Sequence, residues 1–156
     1  VGADSAMLVN CTIVNNGPEG VRQNTTNNIL VIRSSILWNN GDDLVSGNMS
    51  ATLGNLWYSD IEDGDNKGTN GCISVDPLFA DPANDWHEKS HNGRWTPGDV
   101  WVRDPLTSPC IDAGDPAAGY SREPWPNGLR INMGAYGNTA QASKFAGMLG
   151  TTFVVK

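Results

Sequence analysis

The chain has 156 residues, of which only 17% are charged, and it contains 18 glycines and 17 asparagines. This length suits a single domain with a sizeable core, and the composition is typical of a turn-rich β protein rather than a helical bundle. A net charge of −7, without any cluster of Lys or Arg, argues against nucleic acid and anionic membranes as partners. No apolar run approaches 18 residues, so we expect no membrane insertion.

The N-terminal part of the chain repeats with a period of 24 residues. Positions of like character recur in three columns: Leu8, Ile32 and Leu56; Ile13, Leu37 and Ile61; Asn15, Asn39 and Asp63. Such a period marks a repeat architecture in which each unit stacks on its neighbours. Short apolar runs at 29–32 and 36–38, separated by Asn-rich corners, predict short strands. We therefore predict an all-β parallel β-helix with about 24 residues per coil, in which equivalent side chains stack about 4.8 Å apart.

The 24-residue period is present in only part of the chain, and this divides the chain into three regions. Residues 1–83 are predicted to form regular coils, with wide polar corners at 17–28 and 41–52. Residues 84–150 are predicted to form a loop-rich, aromatic cap over the C-terminal end, including strand-like runs at 108–114 and 130–137 and a helix-like stretch at 139–148. Residues 151–156 read as a terminal strand. The chain shows neither an initiator Met nor a signal peptide, so we expect it to be a piece of a longer protein.

An acidic stretch supplies a candidate calcium site. Asp63, Asp65 and Asn66 resemble the first half of a calcium-binding loop, because carboxylates stand at positions 1 and 3 and a glycine at position 6. Lys67 stands where an oxygen ligand belongs, and position 12 is Ser74 instead of Glu. A solvated acidic turn without an ion is the alternative.

Aromatic residues are concentrated in the cap region. Four tryptophans there could form a platform on which sugar rings stack: Trp86, Trp95, Trp101 and Trp125. The alternative is that they fold over the end of the solenoid and bury apolar surface.

Histidine and cysteine give no strong metal signal. His87 and His91 have i, i+4 spacing, but the segment does not read as a helix, so we expect no zinc pair. Cys11 reads as a small buried thiol. Cys72 and Cys110 could be bridged in an oxidising compartment or remain free.

No set of catalytic residues converges in the sequence. Arg33 stands beside Trp57 of the next coil but has no acidic neighbour in its column, and Lys67 lies in a corner. Asp60 and Glu62 share a strand face without a facing acid or base, as glycoside hydrolysis would need. We therefore expect a non-catalytic protein.

Three segments and the repeats before them carry a family resemblance. The segments are 75–82 (VDPLFADP), 108–116 (SPCIDAGDP) and 130–137 (RINMGAYG), and the repeats include 10–16 and 35–40. Together they resemble the C-terminal end of secreted bacterial right-handed parallel β-helix repeat proteins, over residues 8–144. The resemblance implies a right-handed coil and a secreted or cell-surface location. That family mixes surface proteins with polysaccharide-active enzymes, so it does not fix an activity.

Two functional hypotheses remain. The first is a non-catalytic extracellular structural module, such as a filament, surface-layer or adhesin component. It would associate with itself, or with preceding coils of a longer parent chain, through the end of the solenoid at Leu8 or through strand addition by Phe153, Val154 and Val155. The alternative is a domain that binds or cleaves polysaccharide through the tryptophans of the cap, with Ca²⁺ as a possible cofactor.

Overall fold

The computed structural model describes residues 5–23, 29–46, 55–145 and 147. Among these the protein is all-β with almost no helix. Twelve short strands follow in chain order: β1 Ser5–Val9, β2 Thr12–Val14, β3 Val21–Gln23, β4 Ile29–Arg33, β5 Ile36–Trp38, β6 Leu44–Ser46, β7 Leu56–Trp57, β8 Asp60–Ile61, β9 Phe79–Asp81, β10 Asp85–Glu88, β11 Arg94–Thr96 and β12 Val100–Val102. No helix in the described ranges is long and apolar enough to cross a membrane.

The first eight strands build three parallel sheets, ordered β1-β4-β7, β2-β5-β8 and β3-β6. The chain visits the sheets in the same order on each passage, and we call the passages coil 1 (5–23), coil 2 (29–46) and coil 3 (55–61). Coil 3 contributes only to the first two sheets. Leu8 pairs with Ile32, and Ile32 pairs with Leu56, which confirms the 24-residue register. The third sheet was not predicted, because β3 and β6 lie inside stretches that read as polar corners.

The corners between strands recur with the same period because the backbone conformation recurs. Asn10, Ser34 and Tyr58 each have a positive φ, at 49°, 49° and 46°. Asn15 and Asn39 repeat this at the next corner, with φ of 60° and 54°. Asparagine tolerates the left-handed region better than most residues, which explains its abundance. At this corner the Asn39 amide also donates to the Asn15 side-chain oxygen at 2.6 Å, so equivalent side chains bond along the stack.

The sheet β2-β5-β8 has apolar contacts on both faces. Leu37 points inward to a core cluster that also holds Ile32, Leu56 and Ile61, all fully buried. The adjacent Ile36 points outward and is also fully buried. Successive residues of a strand face opposite sides, so the outer face must be covered by another part of the chain.

Residues 106–145, which we call the C-terminal segment, provide much of this cover. Ile36 packs in a second cluster with Phe79, Cys110 and Met133. The segment also reaches the earlier coils: Gly134 N donates to Ser34 O at 2.9 Å, and Asn10 Nδ2 donates to Gly134 O at 3.1 Å. The segment therefore lies along the flank of the coils. The sequence had suggested a position over the C-terminal end of the stack only.

The regular coils end earlier than residue 83. The last parallel contact is an isolated bridge between Asp60 and Ile73. Beyond it, β9 pairs with β10 and β11 with β12, both antiparallel, inside a region expected to be loops.

Two predicted strands and one predicted helix are wrong. The runs at 108–114 and 130–137 are turns joined to each other by single bonds, such as Met133 N to Cys110 O at 2.9 Å. Positive φ values at Asp112 (53°) and Gly134 (81°) interrupt an extended course there. In the described part of 139–148 no helix forms, because the Lys144 amide is bonded to a distant carbonyl instead of one four residues back. The terminal strand at 151–156 lies outside the described residues.

Candidate functional site

An arginine and a tryptophan meet where β4 and β7 end. Arg33 and Trp57 are paired across the parallel sheet, and the Arg33 guanidinium carbon lies 5.8 Å from the centre of the Trp57 ring. Ile32 and Leu56, the residues just before them, are fully buried. Because side chains alternate along a strand, Arg33 and Trp57 project from the outer face. The predicted neighbourhood of these two residues is thus confirmed.

The C-terminal segment supplies Arg33 with the acidic neighbour that its own column lacks. Asp115 Oδ2 accepts a bond from Arg33 Nη1 at 3.0 Å, and the Asp115 amide donates to Ser34 Oγ at 2.9 Å. Asp115 is 7% exposed, whereas the Arg33 side chain is 39% exposed. Arg33 is therefore anchored through Nη1, while its Nε is buried without a hydrogen-bond partner among the described residues.

A second arginine and a second aromatic ring extend this surface. The Arg130 guanidinium carbon lies 5.3 Å from the centre of the Tyr58 ring. Arg130 also donates to the carbonyls of Gly114, from Nε at 2.5 Å, and Ala113, from Nη2 at 2.9 Å.

We call Arg33, Trp57, Tyr58, Asp115 and Arg130 the arginine–aromatic patch. Planar guanidinium groups bind carboxylates in a bidentate way, and aromatic faces stack on apolar ring faces. The patch can therefore bind an acidic, ring-containing ligand. Within the described residues the carboxylate of the patch, Asp115, is engaged by Arg33.

The four tryptophans predicted as a platform fall into different surroundings. Trp86 packs against the second core cluster, and its Nε1 donates to Pro82 O at 3.3 Å. Trp125 is 66% exposed, which leaves its ring accessible to solvent.

Trp95 and Trp101 face each other across the β11–β12 pair. Trp95 Nε1 donates to Asp99 Oδ1 at 2.9 Å, and its ring centre lies 5.3 Å from that of His87. Lys144 Nζ lies 4.1 Å from the centre of the Trp101 ring. These contacts give three of the four tryptophans partners within the protein, and glycan stacking on any of them remains a prediction.

In the predicted calcium loop, the carboxylate of Asp63 bonds to backbone amides. The Asp63 carboxylate accepts bonds from the amides of Asp43 at 3.2 Å and Asp65 at 3.3 Å. Burial, followed by the charges of Asp63, Asp42 and Asp43, raises the pKa of Asp65. Asn66 has a positive φ of 58°. Within the described ranges, no group of three or more His, Cys, Asp or Glu side chains is arranged to hold a metal ion.

The two histidines have different surroundings. His87 is buried, its Nδ1 lies 2.6 Å from Asp85 Oδ1, and its ring stacks on Tyr136 with the centres 3.6 Å apart. His91 is exposed, and its amide bonds to Thr107 Oγ1 at 3.1 Å. His87 is thus a packed structural side chain in β10.

Buried carboxyl groups are a feature that sequence reasoning missed. Asp60 is fully buried, and Cys110 Sγ lies 3.0 Å from its Oδ2. Burial raises the pKa of Asp60 to about 6. Glu88 is fully buried as well, and burial raises its pKa to about 8. A signal for Asp60 existed, because it shares its column with Thr12 and Ile36 on the face that the C-terminal segment covers.

All three cysteines are free thiols in the structure. Cys72 belongs to the inner core cluster and Cys110 to the outer one. Burial raises the pKa of both thiols. Cys72 and Cys110 are therefore not bridged, and each is a separate buried thiol.

Of the residues proposed for self-association, Leu8 is half-buried against the inner core cluster. Phe153, Val154 and Val155 lie outside the described residues.

Comparison with protein families gives a match. The sequence model of a family described as disaggregatase related matches residues 4–114. No curated protein matches the chain. No solved structure matches it.

Proposed function

Since the chain belongs to the disaggregatase-related family, with an all-β fold built on stacked parallel strands, we propose that it is a structural module that self-associates. The contact would form through the outer end of coil 1. In this proposal the coils are those of a right-handed parallel β-helix, and the module works outside the cell, as in the secreted bacterial repeat proteins that the sequence resembles.

The observation that carries this proposal is that equivalent core positions are more exposed in coil 1 than in coils 2 and 3. Ile32 and Leu56 are fully buried, whereas Leu8, their equivalent in coil 1, is partly exposed. Likewise Leu37 is fully buried, whereas its equivalent Ile13 is partly exposed. Among the described residues, the core is therefore partly exposed to solvent at coil 1. Burying this apolar surface against a partner would contribute about 25 cal/mol per Å² to association.

The hydrogen bonds along the stack favour another coil as the cover. The amide of Cys11 donates to Ser35 Oγ at 3.1 Å, and the amide of Ser35 donates to Ser59 Oγ at 3.2 Å. Each coil thus gives its partner the same pattern of strand edges and ladder groups. An exposed strand edge is a template for pairing with another chain. Of the residues of β1, Met7 is 64% exposed and Val9 44% exposed.

Sedimentation equilibrium of the 156-residue chain tests the proposal. We expect concentration-dependent association of the native chain and a monomer for Met7→Lys combined with Val9→Lys, because lysines on an edge strand oppose strand pairing. The matched control combines Leu106→Lys with Leu129→Lys, which replaces two exposed apolar residues of the C-terminal segment and should leave association intact. The proposal would be refuted if the native chain were monomeric, or if the β1 lysine variant associated as strongly as the native chain.

The arginine–aromatic patch favours a second candidate function, the binding of an acidic polysaccharide. Its arginines lie beside two aromatic rings, and the family description, which names a disaggregatase, fits a protein that meets the material holding an aggregate together. Titration with acidic and neutral glycans checks it. We expect Trp57→Ala to weaken binding of the acidic glycan and Trp125→Ala to leave it unchanged. The reverse result would move the binding surface to the tryptophans of the C-terminal region.

A further inference from the structure

Two carboxylates in the C-terminal segment have buried oxygens without a hydrogen-bond partner among the described residues. Asp112 lies in a turn with φ of 53°, and its amide donates to Asn132 Oδ1 at 2.8 Å. Both of its carboxylate oxygens are buried and accept no hydrogen bond. Burying a carboxylate without a partner costs several kcal/mol, so such a group normally accompanies a charge of opposite sign or a proton.

The second carboxylate is Glu123, which is 6% exposed. Its Oε1 accepts bonds from the amides of Asn132 at 2.9 Å and Asn138 at 2.8 Å. These two amides fix the carboxylate, whose Oε2 is buried and has no hydrogen-bond partner. After burial itself, the charge of Glu123 is the largest influence raising the pKa of Asp112, which stands at about 7. Asn132 links the two groups, because its side-chain oxygen accepts the Asp112 amide and its own amide donates to Glu123 Oε1. Together the two carboxylates hold three buried oxygens without a hydrogen-bond partner among the described residues.

Arg130, the nearby cation, does not neutralise the pair. It lowers the pKa of Asp112, but less than burial and Glu123 raise it. Its Nε and Nη2 donate to the carbonyls of Gly114 and Ala113, so these donors point to the backbone and not to either carboxylate.

The backbone of Gly128 closes one side of the Asp112 carboxylate. A Cβ atom added to Gly128 would stand 2.1 Å from Asp112 Oδ2 and 2.7 Å from Oδ1. Only a residue without a side chain fits there, so the Gly128 backbone lies close to the acid. A backbone pressed against a carboxylate can offer carbonyl oxygens to a shared ion.

We propose that Asp112 and Glu123 bind a hard divalent cation, Ca²⁺, in the turn closed by Gly128. All three unsatisfied atoms are carboxylate oxygens, the ligands that Ca²⁺ prefers, and backbone carbonyls and water complete such sites. The site is distinct from the acidic stretch, where both carboxylate oxygens of Asp63 accept bonds from backbone amides. With two carboxylates, the dissociation constant is expected in the weak range of protein calcium sites, about 10⁻⁴ to 10⁻³ M.

Calorimetric titration and thermal unfolding of the EGTA-treated chain test this inference. CaCl₂ is expected to bind and to raise the melting temperature, because a ligand that binds only the folded state stabilises it. MgCl₂ serves as the comparison ion and is expected to have a smaller effect, since Mg²⁺ gives up its water reluctantly. A native chain that neither binds Ca²⁺ nor changes its melting temperature would overturn the proposal.

Two variants locate the ion. Asp112→Asn keeps the shape of the side chain and is expected to abolish both the binding heat and the calcium-dependent rise in melting temperature, while folding normally in EGTA. Asp63→Asn is the matched control and is expected to retain both. Loss of the calcium effect in Asp63→Asn with retention in Asp112→Asn would place the ion at the acidic stretch and overturn the assignment. Retention in both variants would overturn it too.

Discussion

Glu88 gives the sharpest prediction on stability, because it is a whole carboxyl group sealed inside the protein. It ends β10, is fully buried, and neither of its carboxylate oxygens accepts a hydrogen bond. A Cβ added to Gly134 would stand 3.1 Å from Glu88 Oε1 and 2.9 Å from the Ile36 side chain. The carboxyl therefore lies at the contact between the C-terminal segment and the outer face of β5.

The size of the effect follows from the pKa of Glu88. Burial first, and the charges of Glu123 and Asp85 after it, raise this pKa from 4.5 to about 8. At about 1.36 kcal/mol for each pKa unit, ionising Glu88 costs about 5 kcal/mol more in the folded protein than in the unfolded chain. Between these two pKa values the folded state holds more protons than the unfolded one, so the free energy of unfolding falls as pH rises. The stability that the protonated Glu88 contributes is fully present below pH 4.5 and is lost above pH 8.

Glu88→Gln removes this titration while keeping the side-chain shape. Urea denaturation of the native chain and the variant, followed by tryptophan fluorescence from pH 4 to pH 9, measures the difference in unfolding free energy. We expect the variant to gain on the native chain as pH rises, by about 5 kcal/mol across the window. A pH-independent difference for Glu88→Gln would show that the carboxyl is not sealed as the structure has it.

Two further comparisons test the packing of the coils. Leu56→Ala should lower the free energy of unfolding by about 2–5 kcal/mol, because it opens a cavity at a fully buried position, and Leu8→Ala should cost less because Leu8 is partly exposed. Urea denaturation measures both, and equal losses would contradict this difference in burial. Gly71→Ala should lower the melting temperature more than Gly64→Ala, since both have positive φ but only the Gly71 Cβ would strike Tyr58, at 2.2 Å. Equal melting temperatures would show that the Tyr58 ring moves aside freely.

Much of the coil region was predictable because its information is local and periodic. The 24-residue spacing alone placed Leu8, Ile32 and Leu56 in one register. β3 and β6 were missed because their strands are three residues long and stand in polar surroundings. The helix predicted near residue 139 failed for a different reason. Composition records helix propensity, but the amide of Lys144 is bonded to the carbonyl of Gly93, a partner far away in sequence.

The candidate sites divide in the same way. Arg33 and Trp57 were placed together by the period, but Asp115, which lies 82 residues after Arg33, could not be. The Asp112–Glu123 pair was missed because neither residue belongs to a motif, and only the turn at Gly128 and the bonds to Glu123 bring their oxygens out of water.

The sequence by itself determined the spacing of the coils, the corners at asparagine and the inward-facing aliphatic columns, because each depends on residues that repeat at a fixed interval. Only the tertiary structure decided which outward-facing residues are buried. Thr12, Ile36 and Asp60 occupy one outward column, and the C-terminal segment folds back over it. The contacts that hold the C-terminal segment there are long-range and do not repeat along the sequence, so no period reveals them. They bury Asp60 and Glu88 and position Asp115 beside Arg33.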